Sequence, residues 1–436
     1  MSEPISRYLA KQADLAARPL IAGDLEGVCL VVVIPVLAEH EVLEETLGHL
    51  AANPEEDRDR TLVIVVVNNR APDTVPPEAI AENLATLALL EGPVLESKSL
   101  RLGYVDAASP GNELGQKQGV GDARKLGLDW GLSVLQENAE SDGLLINLDA
   151  DTHVESNYLS AIREHFESPE AWGGVVDFAH RLEGPVEQQA AIVAYELFLR
   201  YHVLGLHAAD SPYAFHTIGS TIACTANAYA TAGGMKRRQA GEDFYFLQEL
   251  AKTGRVDRIH ATCVHPSPRP SWRVPFGTGP RVQRYLDRTH EEYRVYHPES
   301  YQILGAWLQL VEESPTCDAE TLLQRAESIA PALRSFLEDQ RFETIWPKLQ
   351  DNAPDKEGFL RQFHRWFDAF ATLKLIHHLR DHGYPEQETF EAIANLIPGF
   401  DEAPSSKTYP AAQQLLLRRM RNLERQSQLP RDTPQP

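Results

Sequence analysis

The chain is poor in sulfur, with four cysteines and three methionines in 436 residues. Cys29, Cys224, Cys263 and Cys317 stand far apart, and no Cys-x-x-Cys pair offers a zinc knuckle or a dithiol redox centre. This scarcity argues against a disulfide-stapled scaffold and suits a reducing cytosol. Cys29, Cys224 and Cys263 lie in apolar surroundings and read as small packing residues. Long apolar runs are missing too. The best stretch, residues 190–206, is broken by Glu196, Arg200 and His202, so nothing reaches the ~18 apolar residues of a membrane-spanning helix. The first twenty residues lack the apolar core of a signal peptide. Positive charge is in deficit, with 41 Lys and Arg against 63 Asp and Glu, a net charge of −22. Such a surface repels nucleic acid and anionic membrane, which argues against a nucleic-acid partner. It also repels phosphorylated small molecules, unless local arginines or a metal ion receive them.

Three continuous apolar, β-branched runs are present: residues 28–36 (VCLVVVIPV), 61–67 (TLVIVVV) and 144–148. Continuous hydrophobicity fits strands buried on both faces of a parallel sheet. Helical spacing separates them, in Val42, Leu43, Leu47 and Leu50 and again in Leu126, Leu128, Leu132 and Leu135. The alternation predicts an α/β fold with a mostly parallel sheet flanked by helices, whose ligands gather at the carboxyl ends of the strands. Beyond about residue 300 helical patterns dominate, and Phe363, Trp366, Phe367, Phe370 and Leu373 predict one amphipathic helix. That stripe reads as helix core before it reads as a ligand platform. The expected division is an N-terminal amphipathic helix and extension over 1–24, an α/β domain over 25–290, a helical domain over 291–425 and a disordered Pro-rich tail over 426–436.

Four short motifs carry chemistry. Asp149-Ala-Asp151 follows the 144–148 run, and two carboxylates there suit a hard cation such as Mg2+ or Mn2+ that bridges to phosphates; an acidic turn is the bland alternative. Glu242-Asp243 opens a predicted helix, as the helix dipole alone favours, or supplies a general base. Gly119-Val-Gly-Asp-Ala-Arg124-Lys125 enters the Leu126–Leu135 pattern; it is neither a GxGxxG nor a Walker loop. Residues 265–281 form a Pro- and Gly-rich loop that concentrates His265, Arg269, Arg273 and Arg281 in an acidic chain, where an anion could be clamped.

The order of these motifs resembles that of the family 2 glycosyltransferases, nucleotide-sugar-dependent enzymes of GT-A fold, over about residues 28–290. The opening strand ends in Pro35 with Glu39 following. Gly121-Asp-Ala-Arg124-Lys-Leu-Gly127 resembles the family's Gly-Ala-Arg helix start. Asp149-Ala-Asp151 matches its metal motif, and 219–234 resembles the acceptor-side segment that closes on Gly-Gly. Glu242-Asp243 follows that pair, and His265 follows the next strand. One departure stands out. Many members carry Asp-Asp-Gly-Ser after the second strand, where this chain reads Val67-Asn68-Asn69-Arg70, so the carboxylate that helps read the nucleotide base is missing.

The resemblance implies a hexosyltransferase-type enzyme that moves sugar from a nucleotide-diphosphate sugar to an acceptor hydroxyl, with inversion as the default. It implies a divalent cofactor, Mn2+ or Mg2+, with Asp151 as direct ligand, Asp149 on ribose or metal, and His265 as third ligand. Asp243 is the implied general base with Glu242 beside it. Pro35, Glu39, Asn68, Asn69, Arg124, Asp149, Arg269 and Arg273 are the implied donor-binding residues, with residues 266–281 as a lid. Tyr213, His216 and Gly219 are candidates for the acceptor side. A carbohydrate, small-molecule or lipid-linked acceptor and a cytoplasmic enzyme, free or peripheral at the inner membrane surface, complete the expectation. A retaining transferase, a sugar nucleotidyltransferase and a non-catalytic binding protein are the alternatives. The residues after the first strand, Leu37-Ala-Glu-His-Glu, lack the Gly-rich basic signature of a nucleotidyltransferase.

Overall fold

The computed structural model describes residues 3–12, 14–70, 75–92, 100–115, 118–140, 142–238, 240–396 and 410–426. The Pro-rich tail from 427 onward lies outside the described residues. Packing divides the chain into two compact units, one of Met1–Leu182 with Thr217–Pro280 and one of Glu183–His216 with Arg281–Pro436.

The first unit is built on a nine-stranded sheet. Its strands are β1 (Leu20–Ala22), β2 (Leu30–Val36), β3 (Thr61–Asn68), β4 (Arg101–Ala107), β5 (Leu144–Asn147), β6 (His153–Val154), β7 (Gly173–Phe178), β8 (Ile222–Thr225) and β9 (Val256–His265). Their order across the sheet is β1-β4-β3-β2-β5-β8-β7-β9-β6. The long pairings are parallel: β2 with β3, β3 with β4, β2 with β5 and β7 with β9. Strand β8 runs antiparallel to its neighbours, as do the edge strands β1 and β6. Every residue of β2, β3 and β5 is buried, which is why their sequences run apolar without alternation. The Val120–Glu137 helix lies on β2 and β3. Gly127 makes that possible, since a Cβ there would sit 2.4 Å from Val33 Cγ1.

Pro35 sits inside β2 because its neighbour has gone. Val33 accepts the Leu148 N–H on the β5 side, and pairing with β5 stops at Val33 and Asn147. Two residues on, Pro35 faces that same side past the end of β5, so its missing N–H breaks no ladder bond. The chain leaves β5 there and turns through Asp149 and Asp151.

The N-terminus holds more than the expected helix. After the Glu3–Leu9 helix and the short Asp14–Ala17 turn of helix, Leu20–Ala22 joins the sheet edge against β4. Three residues are too few to show a strand's alternation. Tyr8 anchors the first helix: its hydroxyl donates to Asp129 at 2.8 Å and accepts from Lys125 at 2.6 Å, while Tyr229 donates to the same Asp129 oxygen at 2.8 Å.

The second unit is helical, with a two-residue ladder between β10 (Arg294–Val295) and β11 (Gln387–Glu388). The Val186–Ala208 helix belongs here rather than in the expected 25–290 domain. It packs against the Pro410–Gln426 helix, and Arg200 is buried between Glu196 (2.8 Å) and Glu424. The expected 363–373 helix is two helices, Lys356–Trp366 and Ala369–Asp381. Asp368 separates them by accepting the N–H groups of Phe370 (3.1 Å) and Ala371 (3.0 Å), an N-cap that apolar spacing does not reveal. Phe363 and Phe367 pack against Trp307 in the core of this unit, as helix-core residues. Among the described residues no helix is long and apolar enough to cross a membrane.

Candidate active site

Three loops at the carboxyl ends of β2, β5 and β9 meet the starts of two helices in the first unit. Acidic residues supply one half of the cluster and arginines the other.

Arg124, in the second turn of the Val120–Glu137 helix, is 5% exposed and ion-paired to both Asp149 and Glu242. Burial disfavours its charge, but Asp149 and Glu242 overcome that and hold it firmly protonated. Two glycines let these groups approach. A Cβ on Gly121 would lie 2.6 Å from the Arg238 carbonyl and 2.9 Å from Glu242 Cβ; one on Gly219 would lie 2.4 Å from Arg124 Nη2. Thus Gly219, expected on the acceptor side, forms a flat wall against the guanidinium.

The second knot is on Arg269. Its Nε donates to Asp151 Oδ2 at 2.7 Å and its Nη2 to Glu39. Arg273 donates to Glu39 Oε1 at 3.1 Å and to the Ala38 carbonyl at 2.9 Å. Ala38 adopts a φ of 52°, a left-handed backbone uncommon for alanine, held from the other side by Asn83, whose Oδ1 accepts the Ala38 N–H at 2.8 Å. Burial, then the Asp151 charge, pushes the Glu39 carboxyl up to about 7.

Asp243 is the contrast. Glu242 is spent on Arg124, whereas Asp243 accepts its neighbour's N–H, from Phe244 at 2.7 Å. Burial, then the charge of Glu242, raises it to about 7, against the pull of Arg124. A carboxyl of that value takes up and releases protons near neutrality.

The remaining expectations fall elsewhere. Asn68 and Asn69 are buried and bonded to the fold: Asn68 Nδ2 donates to the Val36 carbonyl at 2.9 Å, Asn69 Nδ2 to that of Ala108 at 3.0 Å, and Asn83 reaches Asn69 Oδ1 at 2.6 Å. His265 is grouped not with Asp149 and Asp151 but with Glu155 and Cys263. Tyr213 and His216 belong to the second unit, where Tyr213 donates to the His364 carbonyl at 2.5 Å and His216 lies 3.3 Å from Glu424. Two arginines were given no role by the sequence. Arg70 donates to the Arg273 carbonyl at 3.1 Å and Arg181 to that of Asp151 at 3.2 Å. Both stand just past strand ends, the one signal that could have found them.

Asp149 and Asp151 fit a hard divalent cation by donor type and by their place beside a strand end. Arg269 now occupies one oxygen of Asp151, so an ion there shares that carboxylate or displaces the guanidinium.

The sequence matches no protein-family model and no curated protein. Among solved structures, S. aureus TarS 1–349 in complex with UDP-GlcNAc overlaps 77% of this chain and 91% of its own, at 13% identity and a TM-score of 0.39. The mannosyltransferase PcManGT from Pyrobaculum calidifontis, in complex with GDP-Man and Mn2+, overlaps 97% of this chain and 95% of its own, at 14% identity and a TM-score of 0.35. At these scores the superposition is loose, and nothing about this chain's activity follows from it.

Proposed function

We propose that this chain is a metal-dependent glycosyltransferase of the GT-A type, using a nucleotide-diphosphate sugar and inverting the sugar's configuration. The observation that carries this reading is the placing of an ionisable carboxyl, Asp243, beside the Asp149–Arg124–Glu242 array and an arginine loop at the strand ends. Asp243 takes the proton of the acceptor hydroxyl. The acceptor oxygen bonds to the anomeric carbon as the bond from that carbon to the diphosphate breaks, and the electron pair leaves with the diphosphate. One direct displacement gives inversion. Arg269 and Arg273 are placed to exchange part of their bonding to Asp151 and Glu39 for the phosphate oxygens. Mg2+ or Mn2+ bound by Asp151 and Asp149 supplies Lewis-acid neutralisation of the leaving group.

A thermal-shift screen of nucleotides and nucleotide sugars with Mn2+ tests this, since a ligand of the native state raises Tm. The expected result is a metal-dependent shift with one nucleotide class that disappears in Asp151→Asn. Equal shifts in the variant, or none with any nucleotide, would overturn it. One observation favours the non-catalytic alternative: Glu39, Asp149, Asp151 and Glu242 are all closed by arginines, as in a purely structural network. Donor turnover lost in Asp243→Asn, with nucleotide binding kept, would eliminate it.

A further inference from the structure

We propose that Glu155, Cys263 and His265 form a second metal site, apart from Asp149 and Asp151, for a thiolate-binding divalent transition metal of the zinc class. The site stands whether or not the chain transfers sugar. Strands β6 and β9 are antiparallel and pair His153 with His265 and Val154 with Val264, so the next residue along, Glu155, comes opposite Cys263. Cys263 and His265, two apart on β9, share a face. The ligand atoms of the three residues lie within 4.8 Å of one another, with His265 Nε2 3.5 Å from Glu155 Oε1. Ligands on one tetrahedral zinc sit roughly 3.3–3.8 Å apart, so side-chain rotation alone closes the set.

Two further features prepare the site. His265 Nδ1 lies 3.1 Å from the Ala179 carbonyl, which can only accept, so Nδ1 carries the proton and Nε2 presents its lone pair to Glu155 and Cys263. A backbone carbonyl on the far nitrogen is the usual orienting partner of a metal-bound histidine. The pairing of β7 with β9 also jumps, from Val176 opposite Ile259 to Asp177 opposite Cys263. The extra residues 260–262 reset β9 just before the two ligands, and such irregularities re-aim side chains. Glu155 and His265 are part exposed while Cys263 is buried, so an ion has an entry path and a covered sulfur to reach.

Sulfur, imidazole and carboxylate together favour zinc-like ions over Mg2+ and leave a fourth position for water. A neighbouring trio, Glu45, His49 and His153, is less suited, because Arg181 Nη1 already sits 2.6 Å from His153 Nε2 and brings a positive charge. An ion at the proposed site ties together the two strands that flank the cluster: β6 begins after Asp151 and β9 ends before Arg269.

Cobalt titration of the full-length reduced protein tests the site. Co2+ should bind with a thiolate-to-metal charge-transfer band and strong visible absorption, both kept in Asp151→Asn and both lost in Cys263→Ser. Because Cys263 is buried, the surface variants His265→Ala and Glu155→Gln provide a second arm, each weakening Co2+ binding by roughly tenfold or more. No thiolate band in the wild type, a band that survives Cys263→Ser, or unchanged affinity in both surface variants would overturn the proposal.

Discussion

Arg124 and Glu242, 118 residues apart in the chain, meet as a buried ion pair, and the same guanidinium reaches Asp149. This one side chain fastens the helix bearing the proposed base to the turn bearing the proposed metal ligands. Truncating it leaves Glu242 and Asp149 without their counter-charge. Arg124→Ala should lower unfolding stability by roughly 3–5 kcal/mol in a denaturant titration. Glu242→Gln keeps a hydrogen-bond acceptor for Arg124 and should cost less; equal losses would mean that the charge carries the whole interaction and the neutral hydrogen bond nothing.

Asp243 gives a pH prediction with a definite sign. Its folded-state value, about 7, lies above that of an unfolded aspartate, ~4. Its protonated form therefore stabilises the fold at and below about pH 4, and that contribution is lost as the pH climbs to about 7. Asp243→Asn is neutral throughout. Its stability relative to the wild type should grow in its favour between pH 4 and pH 7 and then level off, measured by urea unfolding across that range. Sugar transfer by the wild type should rise over the upper part of the same window, as the base ionises.

The arginine loop makes a binding prediction. Arg269 holds both Asp151 and Glu39, and charge-assisted bonds of this kind are about twice as strong as neutral ones. Arg269→Ala should weaken nucleotide-diphosphate binding about tenfold or more by calorimetry, and nucleoside monophosphate binding much less. A uniform loss for both ligands would place the arginine away from the diphosphate.

Gly121→Ala tests close packing at the site. The added methyl would press on the Arg238 carbonyl and on Glu242, at a cost of about 1–3 kcal/mol. Because Glu242 is one of the two groups pressed, loss of transfer activity should exceed the loss expected from stability alone, which parallel melting and rate measurements would resolve.

Much of this architecture is legible in the letters. The runs at 28–36, 61–67 and 144–148 are apolar throughout because β2, β3 and β5 are covered on both faces, and Pro35 marks the spot where β5 turns away. What escaped was set by distant partners or by too few residues. Leu20–Ala22 is an edge strand of three, and the break at Asp368 rests on a capping carboxylate. The Val186–Ala208 helix is tied to its unit by partners far along the chain, Tyr296, Arg421 and Glu424 among them. Asn68 and Asn69 looked available for a ligand because their hydrogen bonds to Val36 and Ala108 join residues remote in sequence.

The partition of the chain bears on its birth at the ribosome. The polypeptide crosses between units after Leu182, His216 and Pro280, so neither unit can be cloned as one uninterrupted fragment. Arg200 precedes its partner Glu424 by 224 residues. At about 5–20 residues per second, translation leaves that helix waiting about 10–45 s for the Pro410–Gln426 helix. Throughout that interval a glutamate and an arginine destined for a dry interior, together with Ile192, Leu197 and Leu206, emerge ahead of the helix that will help to cover them.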